Sequence, residues 1–434
     1  MKRVLVLLIL MAVAGSLAAF DFGGYLDNTS GFASAPVGTG GDLRLVQSTT
    51  LALWVRSEFG AWTVDGQGSY TFTPSTPILF DLNRFTIGTD VPAAEAGAAA
   101  FGFSLGRMNH TDATGLVLDH TLDGIVLEVR QAKGSFHFGA GTTALLQKPT
   151  NSIVLSTPDV LDLADSDVLF APPRLVATVR YRAIEAFAGQ NLTLGATVQE
   201  DLRPEDQLTM VGTEVEDPTA GGRYDTQYAS AGLSGPLGPG VFYSTSYTLN
   251  SGRKLDYVPN DDSGTGSWYE YRTFLQHMAA ADLTWFAPEA LFSRVRLFGL
   301  YSTADTDSGD AFVPLSPTRF SEVFTLQPGN SAHLGLSYSV RPPAGPGSDV
   351  LQTELKSVTY FRSSGSGGVS EPSVDPASEG SYVGTDINLA VTAMPFSDVR
   401  LVLKAGAFIP NAEVMSPDNE DVKYQVTLQG VLRF

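Results

Sequence analysis

The sequence predicts an all-β fold, a transmembrane up-and-down antiparallel β-barrel of about 18 strands, with about 16 as the alternative count. Three observations predict it. The chain is rich in glycine and β-forming residues, many segments alternate between apolar and polar side chains, and short turns alternate with long polar connections. Together these features are typical of a barrel in which lipid-facing and lumen-facing residues alternate along each strand.

Residues 1–19 have the pattern of a secretory signal peptide. Two cations precede an unbroken apolar run, which ends in small residues at Ala18 and Ala19. The run is too short for a transmembrane helix, and the small residues suit cleavage. We therefore expect cleavage after Ala18 or Ala19 and a single outer-membrane barrel domain over residues 20–434.

The charge balance and the residue usage exclude several classes of protein. The chain carries 46 acidic against 27 basic residues, a net charge of −19 at pH 7, so nucleic acid is not expected as a partner. It contains no cysteine, so neither a disulfide nor a lipid anchor on cysteine can form. Beyond the leader, no apolar run approaches the length of a membrane-spanning helix.

Period-two alternation predicts the strands in chain order. Their ranges are 21–32, 43–58, 61–73, 79–88, 100–108, 122–132, 135–147, 173–187, 191–202, 224–234, 241–250, 268–286, 291–303, 331–341, 350–362, 381–394, 398–409 and 421–434. Gly/Pro-rich turns such as AKGS (132–135) suit hairpins, whereas long polar segments such as 251–266 and 305–330 suit loops at the other end.

The segment SDVRLVLKAGAFIP (397–410) shows the alternation clearly. One face is apolar throughout, and the other carries Asp398, Arg400 and Lys404. Soluble sandwiches and β-solenoids also alternate, but sandwich strands are shorter and the chain has no fixed-period repeat. We therefore assign the apolar face of each strand to lipid and the polar face to the lumen.

The last strand ends on alternating apolar residues and a terminal aromatic ring, at Tyr424, Val426, Leu428, Leu432 and Phe434. This pattern resembles the C-terminal signature of bacterial outer-membrane β-barrels. The resemblance implies an outer-membrane location in contact with outer-membrane lipids, periplasmic termini, and recognition of the last strand by the barrel-insertion machinery. An unpaired final strand can add to an exposed sheet edge through its main-chain hydrogen bonds.

Two segments carry further patterns. They are FGFSLGRMNHTDATGLVLDHTLDGIVLEVR (101–130), with Gly-Arg near a strand end, and YVGTDINLAVTAMPFSDVRLVLKAGAFIP (382–410), with its G-x-D and G-x-F-x-P spacing. These patterns resemble the alginate-export group of porins. The resemblance implies a barrel with a basic pore, and hence a channel for anionic or polar solutes.

The polar face of each strand predicts which charges line the lumen. Basic residues outnumber acidic ones there, which predicts a net-basic lumen inside an acidic chain. Four same-strand pairs are expected to neutralise part of this charge: Glu128 with Arg130, Glu270 with Arg272, Glu354 with Lys356, and Asp398 with Arg400. The candidate solute-binding residues are Arg180, Arg182, Arg294 and Arg296, which lack such a partner, together with Arg130, Arg272, Arg400 and Lys404.

Three charged residues, Arg107, Asp123 and Glu185, fall on the apolar face of their strands. An arginine on the lipid face at mid-depth costs about 2–4 kcal/mol. We therefore expect these residues near strand ends or after a β-bulge, where the alternation of faces is shifted.

No motif indicates catalysis, a cofactor or a metal site. The stretch DTDSGD (305–310) is similar to a calcium loop, but Ser316 stands where an EF-hand has glutamate. The histidines show no i, i+4 pair for zinc, and the chain lacks G-x-S-x-G. We therefore expect neither an enzyme nor a metalloprotein.

The predicted function is an outer-membrane, porin-like channel for passive diffusion of small polar solutes, anions among them, through a net-basic lumen. One alternative is a non-conducting barrel with an adhesive or structural role for its surface loops. A transporter of hydrophobic solutes is disfavoured because no N-terminal plug precedes the first strand. The folding of segments 148–172 and 304–330, inward or outward, is expected to set the pore radius.

Overall fold

The computed structural model describes residues 20–34, 43–94, 98–204, 222–258, 268–305, 310–342, 351–365 and 368–434. The leader predicted at residues 1–19 lies outside this part of the chain, as does most of the stretch that resembles a calcium loop.

Eighteen strands form one antiparallel sheet, which confirms the predicted fold class and strand count. In chain order they are β1 Phe20–Ser34, β2 Leu43–Phe59, β3 Trp62–Phe72, β4 Leu79–Val91, β5 Ala100–Thr111, β6 Asp119–Gln131, β7 Gly134–Thr142, β8 Arg174–Phe187, β9 Gln190–Asp201, β10 Tyr224–Gly238, β11 Val241–Val258, β12 Trp268–Ala287, β13 Ser293–Ser302, β14 Ser331–Val340, β15 Leu351–Phe361, β16 Tyr382–Phe396, β17 Val399–Pro410 and β18 Lys423–Arg433.

The described parts of the loops contain three smaller elements. The β7–β8 loop contains a 3-10 turn at Lys148–Thr150 and a helix, α1, at Thr157–Ala164. The β13–β14 loop contains a two-residue ladder between Ala304–Asp305 and Asp310–Ala311. No helix in the described part of the chain is long and apolar enough to cross a membrane.

The sheet closes on itself because β1 pairs with both β2 and β18. The register of the closing seam runs from Tyr25 opposite Arg433 to Ala33 opposite Gln425. Closure satisfies the main-chain groups of both edge strands, as a spanning sheet requires.

The outside of the barrel is apolar. In β18 the alternate residues Tyr424, Val426, Leu428 and Leu432 are exposed by 42–52%, whereas Thr427 on the opposite face is buried. The same alternation runs along β14, where Leu334, Leu336 and Tyr338 are exposed and the alternate residues Gly335, Ser337 and Ser339 are buried. A continuous apolar belt of this kind suits lipid rather than water.

Two of the three charged residues predicted on the lipid-facing side of their strands, Arg107 and Glu185, lie at or beside a positive backbone φ. Arg107 follows Gly106, whose φ is +125°, and its side chain is only 8% exposed. It forms a bidentate pair with Asp123, at 2.9 Å from Nε to Oδ1 and 2.8 Å from Nη2 to Oδ2. Glu185 has φ +50° and lies in a register shift between β8 and β9. The expected register shift is present at Glu185, whereas β5 and β6 pair without a shift at Arg107 and Asp123.

Several of the described loops at one end of the barrel fold into its interior; we call this the long-loop end and the opposite one the short-turn end. One apolar cluster joins Val117 and Ile153, from two different loops, to Phe312 and Leu315 of the β13–β14 loop. The same cluster includes wall residues on the lumen face: Val176, Tyr228, Met278 and Leu300. The described parts of the predicted loop segments 148–172 and 304–330 therefore turn inward and narrow the lumen.

A second apolar cluster lies beside the first, against β15 to β17. Phe324 of the β13–β14 loop stacks on Phe408 of β17, with ring centroids 3.9 Å apart and planes 5° from parallel. Val374 and Met415, from the two following long loops, pack in the same cluster. The described residues thus form two packed cores inside the barrel, and these cores reduce the space left for a passage.

Candidate functional site: a lumen narrowed by inward loops

Buried charges anchor the β7–β8 loop inside the barrel. The carboxylate of Asp159 in α1 meets Arg174 on β8, with Nη2 to Oδ2 at 2.7 Å, and also pairs with Arg203, which follows β9. Both arginines also contact Asp201, at 3.1 and 2.7 Å. The side chains of Asp159, Arg174 and Asp201 are fully buried. Two cations and two anions therefore neutralise one another where water cannot solvate them.

The surroundings keep Arg203 charged. Burial alone would lower the pKa of Arg203, but its hydrogen bond to Asp201 and the charges of Asp159, Asp201 and Asp162 outweigh burial and raise the pKa. Asp159 is in turn oriented by the main-chain N–H groups of Leu155 and Ser156, which donate to Oδ2 at 2.7 and 3.2 Å. The carboxylate of Asp159 therefore both caps the start of α1 and binds the barrel wall.

Another buried carboxylate shapes the short β5–β6 loop. Asp112, which is 4% exposed, accepts hydrogen bonds from the main-chain N–H groups of Thr114, Val117 and Leu118, at 2.8, 3.2 and 3.0 Å. The Thr114 hydroxyl donates to it as well, at 2.6 Å. These bonds fold residues 112–118 into a compact inward turn.

The β5–β6 loop touches both the wall and the β13–β14 loop. A Cβ placed on Gly195 of β9 would lie only 2.4 Å from the Cβ of Ala113, so the glycine permits the contact between loop and wall. On its other side, the Val117 carbonyl accepts hydrogen bonds from the N–H groups of Leu315 and Ser316, at 2.8 and 3.0 Å. The inward loops therefore act as one packed unit.

The preferred candidate cations lie on two separate strands. Arg180 and Arg182 are on β8, and Arg294 and Arg296 are on β13, with four strands between them. Arg180 is half-buried and donates weakly to the Thr111 hydroxyl at 3.4 Å. Arg182 and Arg294 are exposed, and neither has an ion-pair partner within the described ranges.

Arg296 has a partner that the sequence did not indicate. Its Nε donates to a carboxylate oxygen of Asp282 on β12, and its guanidinium lies 4.7 Å from the centre of the Phe298 ring. The pair joins two adjacent strands diagonally, because Asp282 on β12 lies directly opposite Phe298 on β13, two residues from Arg296. Arg296 therefore has no acidic partner on its own strand, as expected, but it does have one on the neighbouring strand.

The other candidates differ in their partners. Arg130 pairs with Asp90, Lys404 pairs with Glu322 of the β13–β14 loop at 3.0 Å, and Arg272 approaches Asp256 at 3.6 Å near the long-loop end. Arg400 is exposed and has no ion pair in the part of the chain that the structure describes.

Three of the four predicted same-strand pairs do not form. Only Glu128 and Arg130 come within ion-pair distance, at 3.9 Å, whereas Arg272 turns to Asp256 instead of Glu270. For the remaining two, Glu354 with Lys356 and Asp398 with Arg400, the described residues show no ion pair. Cross-strand neighbours and loop residues compete successfully with i, i+2 neighbours because a strand is about 6.6 Å long over two residues.

A cavity of about 280 Å³ opens in the wall near Arg296, between β9 to β14 and the inward loops. Its lining includes Thr193, Ser234, Ser244, Ser246, Phe298 and His333. Of this lining, sequence reasoning identified only Arg296, because the hydroxyl residues of the cavity are small and uncharged and lie on several different strands. The sequence did contain one signal for the loop anchor: Ser156 followed by Pro158 and Asp159 is a helix-start pattern.

Comparison with known proteins supports the fold. No family model matches the chain, and no curated protein matches it. Among solved structures, the outer membrane protein OpdK from Pseudomonas aeruginosa is 11% identical, with 96% of this chain and 98% of that chain covered and a TM-score of 0.58.

Two further structures from the same organism are similar. OccK2 (OpdF) is 11% identical over 96% of this chain and 98% of its own, with a TM-score of 0.57, and OccK3 (OpdO) is 12% identical over 95% and 96%, with a TM-score of 0.56. The resemblance to the alginate-export group stays a prediction. The chain shares the barrel fold of these Pseudomonas aeruginosa outer-membrane proteins.

Proposed function

We propose that this protein is an outer-membrane channel for the passive diffusion of small polar solutes. The observation that carries the proposal is the lumen: exposed charged side chains, among them Arg182, Arg294 and Arg400, lie on the inner face of a closed barrel whose outside is apolar. Two packed clusters of inward loops narrow the passage. A narrow, charge-lined passage selects solutes by size and charge.

The proposal includes a location and a route to it. The leader over residues 1–19 would direct export, and the last strand would be recognised by the barrel-insertion machinery. With the short turns on the periplasmic side, both termini would be periplasmic and the long loops would meet the incoming solute. The apolar belt that includes Leu428 and Leu432 supports contact with outer-membrane lipids.

A preference for anions is the finer part of the proposal. It rests on the arginines without ion-pair partners, whose guanidinium groups suit carboxylates. It is also supported by two neighbours of similar fold: OccK2 was solved in complex with glucuronate and OpdK with vanillate, at TM-scores of 0.52 and 0.53.

Liposome swelling with the refolded protein tests the proposal. We expect liposomes that contain the protein to swell in small polar solutes, and the rate to fall as solute size rises. Protein-free liposomes and liposomes with heat-denatured protein are the controls. Swelling no faster than in these controls would contradict the channel.

The same two apolar clusters favour one competing function. If they seal the lumen completely, the protein is a non-conducting barrel with a structural or adhesive role. Solute-independent swelling rates equal to the controls, together with correct folding, would be the result expected from that alternative.

A further inference from the structure

The wall of the cavity beside Arg296 differs from the charged parts of the lumen. Small hydroxyl residues and a glycine lie opposite one another there on adjacent strands. Thr193 on β9 lies opposite Gly232 on β10, and Gly232 lies opposite Ser246 on β11. In the adjacent row, Ser234 lies opposite Ser244. Side chains this short leave space between the wall and the inward loops, and that space is the cavity of about 280 Å³.

The polar groups of the cavity are available to a ligand. The hydroxyls of Thr193, Ser234, Ser244 and Ser246 have no hydrogen-bond partner in the described parts of the protein. His333, on the same lining, is 3% exposed, and neither ring nitrogen has a hydrogen-bond partner. A hydroxyl can both donate and accept, and neutral imidazole carries one donor and one acceptor. The site therefore offers both kinds of group to the same solute.

The cavity does not present a free charge. Its cation, Arg296, is in contact with its anion, Asp282, so the lining is electrically balanced. An anion bound there would gain attraction from Arg296 and lose a similar amount to repulsion by Asp282. Arg182, the nearest unpaired cation by register, sits opposite Thr193 but is not part of the lining. The balance favours a neutral solute.

Apolar surface completes the lining. Phe298 projects from β13, Phe320 from the β13–β14 loop and Leu116 from the β5–β6 loop. Binding sites commonly combine apolar walls with a few polar groups that fix orientation. A sugar ring or polyol has this dual character, with C–H groups beside its hydroxyls.

We propose that this cavity binds a neutral polyhydroxylated solute, a monosaccharide or polyol, on its way through the lumen; the assignment rests on the proposed channel function. The volume lies just below the range of about 300–1,000 Å³ usual for drug-sized ligands, which suits a single sugar unit. Binding is weak, with a Kd on the order of millimolar, because a solute in transit must also leave.

Gly232 provides the most direct test. A Cβ on Gly232 would lie 3.4 Å from the Thr245 carbonyl oxygen, an ordinary contact, so Gly232→Leu can be accommodated and would fill the cavity. Gly102→Leu is the matched control: Gly102 faces the lumen on β5, where a Cβ would lie 3.6 Å from Glu128. Saturation-transfer NMR on detergent-folded protein, with D-glucose, mannitol and D-glucuronate as probes, measures binding without requiring transport.

We expect D-glucose to bind wild type and Gly102→Leu alike, and to bind Gly232→Leu at least about tenfold more weakly because the space is filled. The double variant Ser244→Ala/Ser246→Ala, which leaves the backbone packing unchanged, should weaken binding in the same direction. D-Glucuronate should bind no more tightly than D-glucose.

The inference is overturned if D-glucuronate binds about tenfold more tightly than D-glucose, or if both cavity variants bind D-glucose like wild type. Its failure differs from failure of the channel. A protein that lets solutes through but does not bind D-glucose in this cavity keeps the proposed function and loses the assignment. A protein that binds D-glucose specifically in this cavity but lets no solute through keeps the assigned cavity and loses the proposed channel function.

Discussion

Asp159 shows how one side chain can determine the shape of the passage. Its carboxylate caps the start of α1 and pairs with two arginines of the barrel, all at buried positions. Breaking a buried ion pair by removing one partner is costly because the other charge stays buried without compensation. The β7–β8 loop should therefore leave the lumen readily once this carboxylate is lost.

We predict that Asp159→Asn lowers the free energy of unfolding by about 3 kcal/mol, because Arg174 and Arg203 keep only Asp201 and Asp162 as partners. Urea-induced unfolding of the refolded protein in detergent measures the change. The variant should also be cut faster by protease within residues 143–173.

Asp162→Asn is the matched control for Asp159→Asn. Asp162 contacts the same Arg203 at 2.8 Å, but its side chain is 35% exposed. Its loss should cost less than about 1 kcal/mol, as for other solvated pairs. Equal effects of the two substitutions would show that the buried network does not anchor the loop.

Charge selectivity should depend on the arginines without ion-pair partners. We predict that Arg182→Gln/Arg294→Gln lowers the anion-to-cation permeability ratio at least about twofold, because fixed positive charge is lost from the passage. The reversal potential in a salt gradient measures it.

The oppositely charged pair of Asp282 and Arg296, on β12 and β13, supplies the control for that experiment. Asp282→Asn/Arg296→Gln removes one charge of each sign, so the reversal potential should stay close to that of wild type. A large shift in this control, or none in the arginine variant, would contradict the assigned roles.

The strands are the elements that the sequence predicts best. Alternation is a local property, because the sequence of each strand distinguishes its apolar face from its polar face. The 18 strands and the lipid face of β18 could therefore be inferred without any knowledge of strand pairing. The diagonal contact of Asp282 with Arg296 depends on the register of β12 against β13, which alternation does not contain.

The loops are predictable only in part. Asp112 and Asp159 look like ordinary acidic loop residues in the sequence, yet each is buried and holds a loop inside the barrel. The polarity of a loop does not reveal whether it turns inward; here the inward position arises from contacts with distant strands, such as that of Phe324 with Phe408. The cavity lined by serine and threonine gave no sequence signal because its residues come from six strands and two loops.

The terminal residue, Phe434, helps to close the barrel against β1. The main chain of Phe434 exchanges two hydrogen bonds with Gly24, at 2.8 and 3.0 Å, and its ring lies against the same glycine. We predict that deletion of Phe434 reduces the assembled fraction in cells by about half or more, because the terminal residue supports both the seam and recognition by the insertion machinery. The heat-modifiable band on gels measures assembly.

Phe396→Ala is the control for the Phe434 deletion. Phe396 is a similarly exposed aromatic residue, at 68%, next to a turn and away from the seam. Assembly of this variant should stay near wild type. Normal assembly without Phe434 would contradict the role given to the last residue.

The whole barrel presents different surfaces on its outer and inner faces. The outside is apolar, the inner wall is charged, and the interior is divided between packed loops and a remaining passage. An acidic chain with a net charge of −19 can still present unpaired arginines to a solute, because many lumen acids pair with neighbouring cations. Conduction therefore depends on the space that the loops leave.

Single-channel conductance of the refolded protein in a planar bilayer shows whether the loop-narrowed barrel conducts. We expect discrete, repeatable current steps, and larger steps for Asp159→Asn, since release of the β7–β8 loop widens the passage. If correctly folded, inserted protein gives no current steps, the barrel is not a channel.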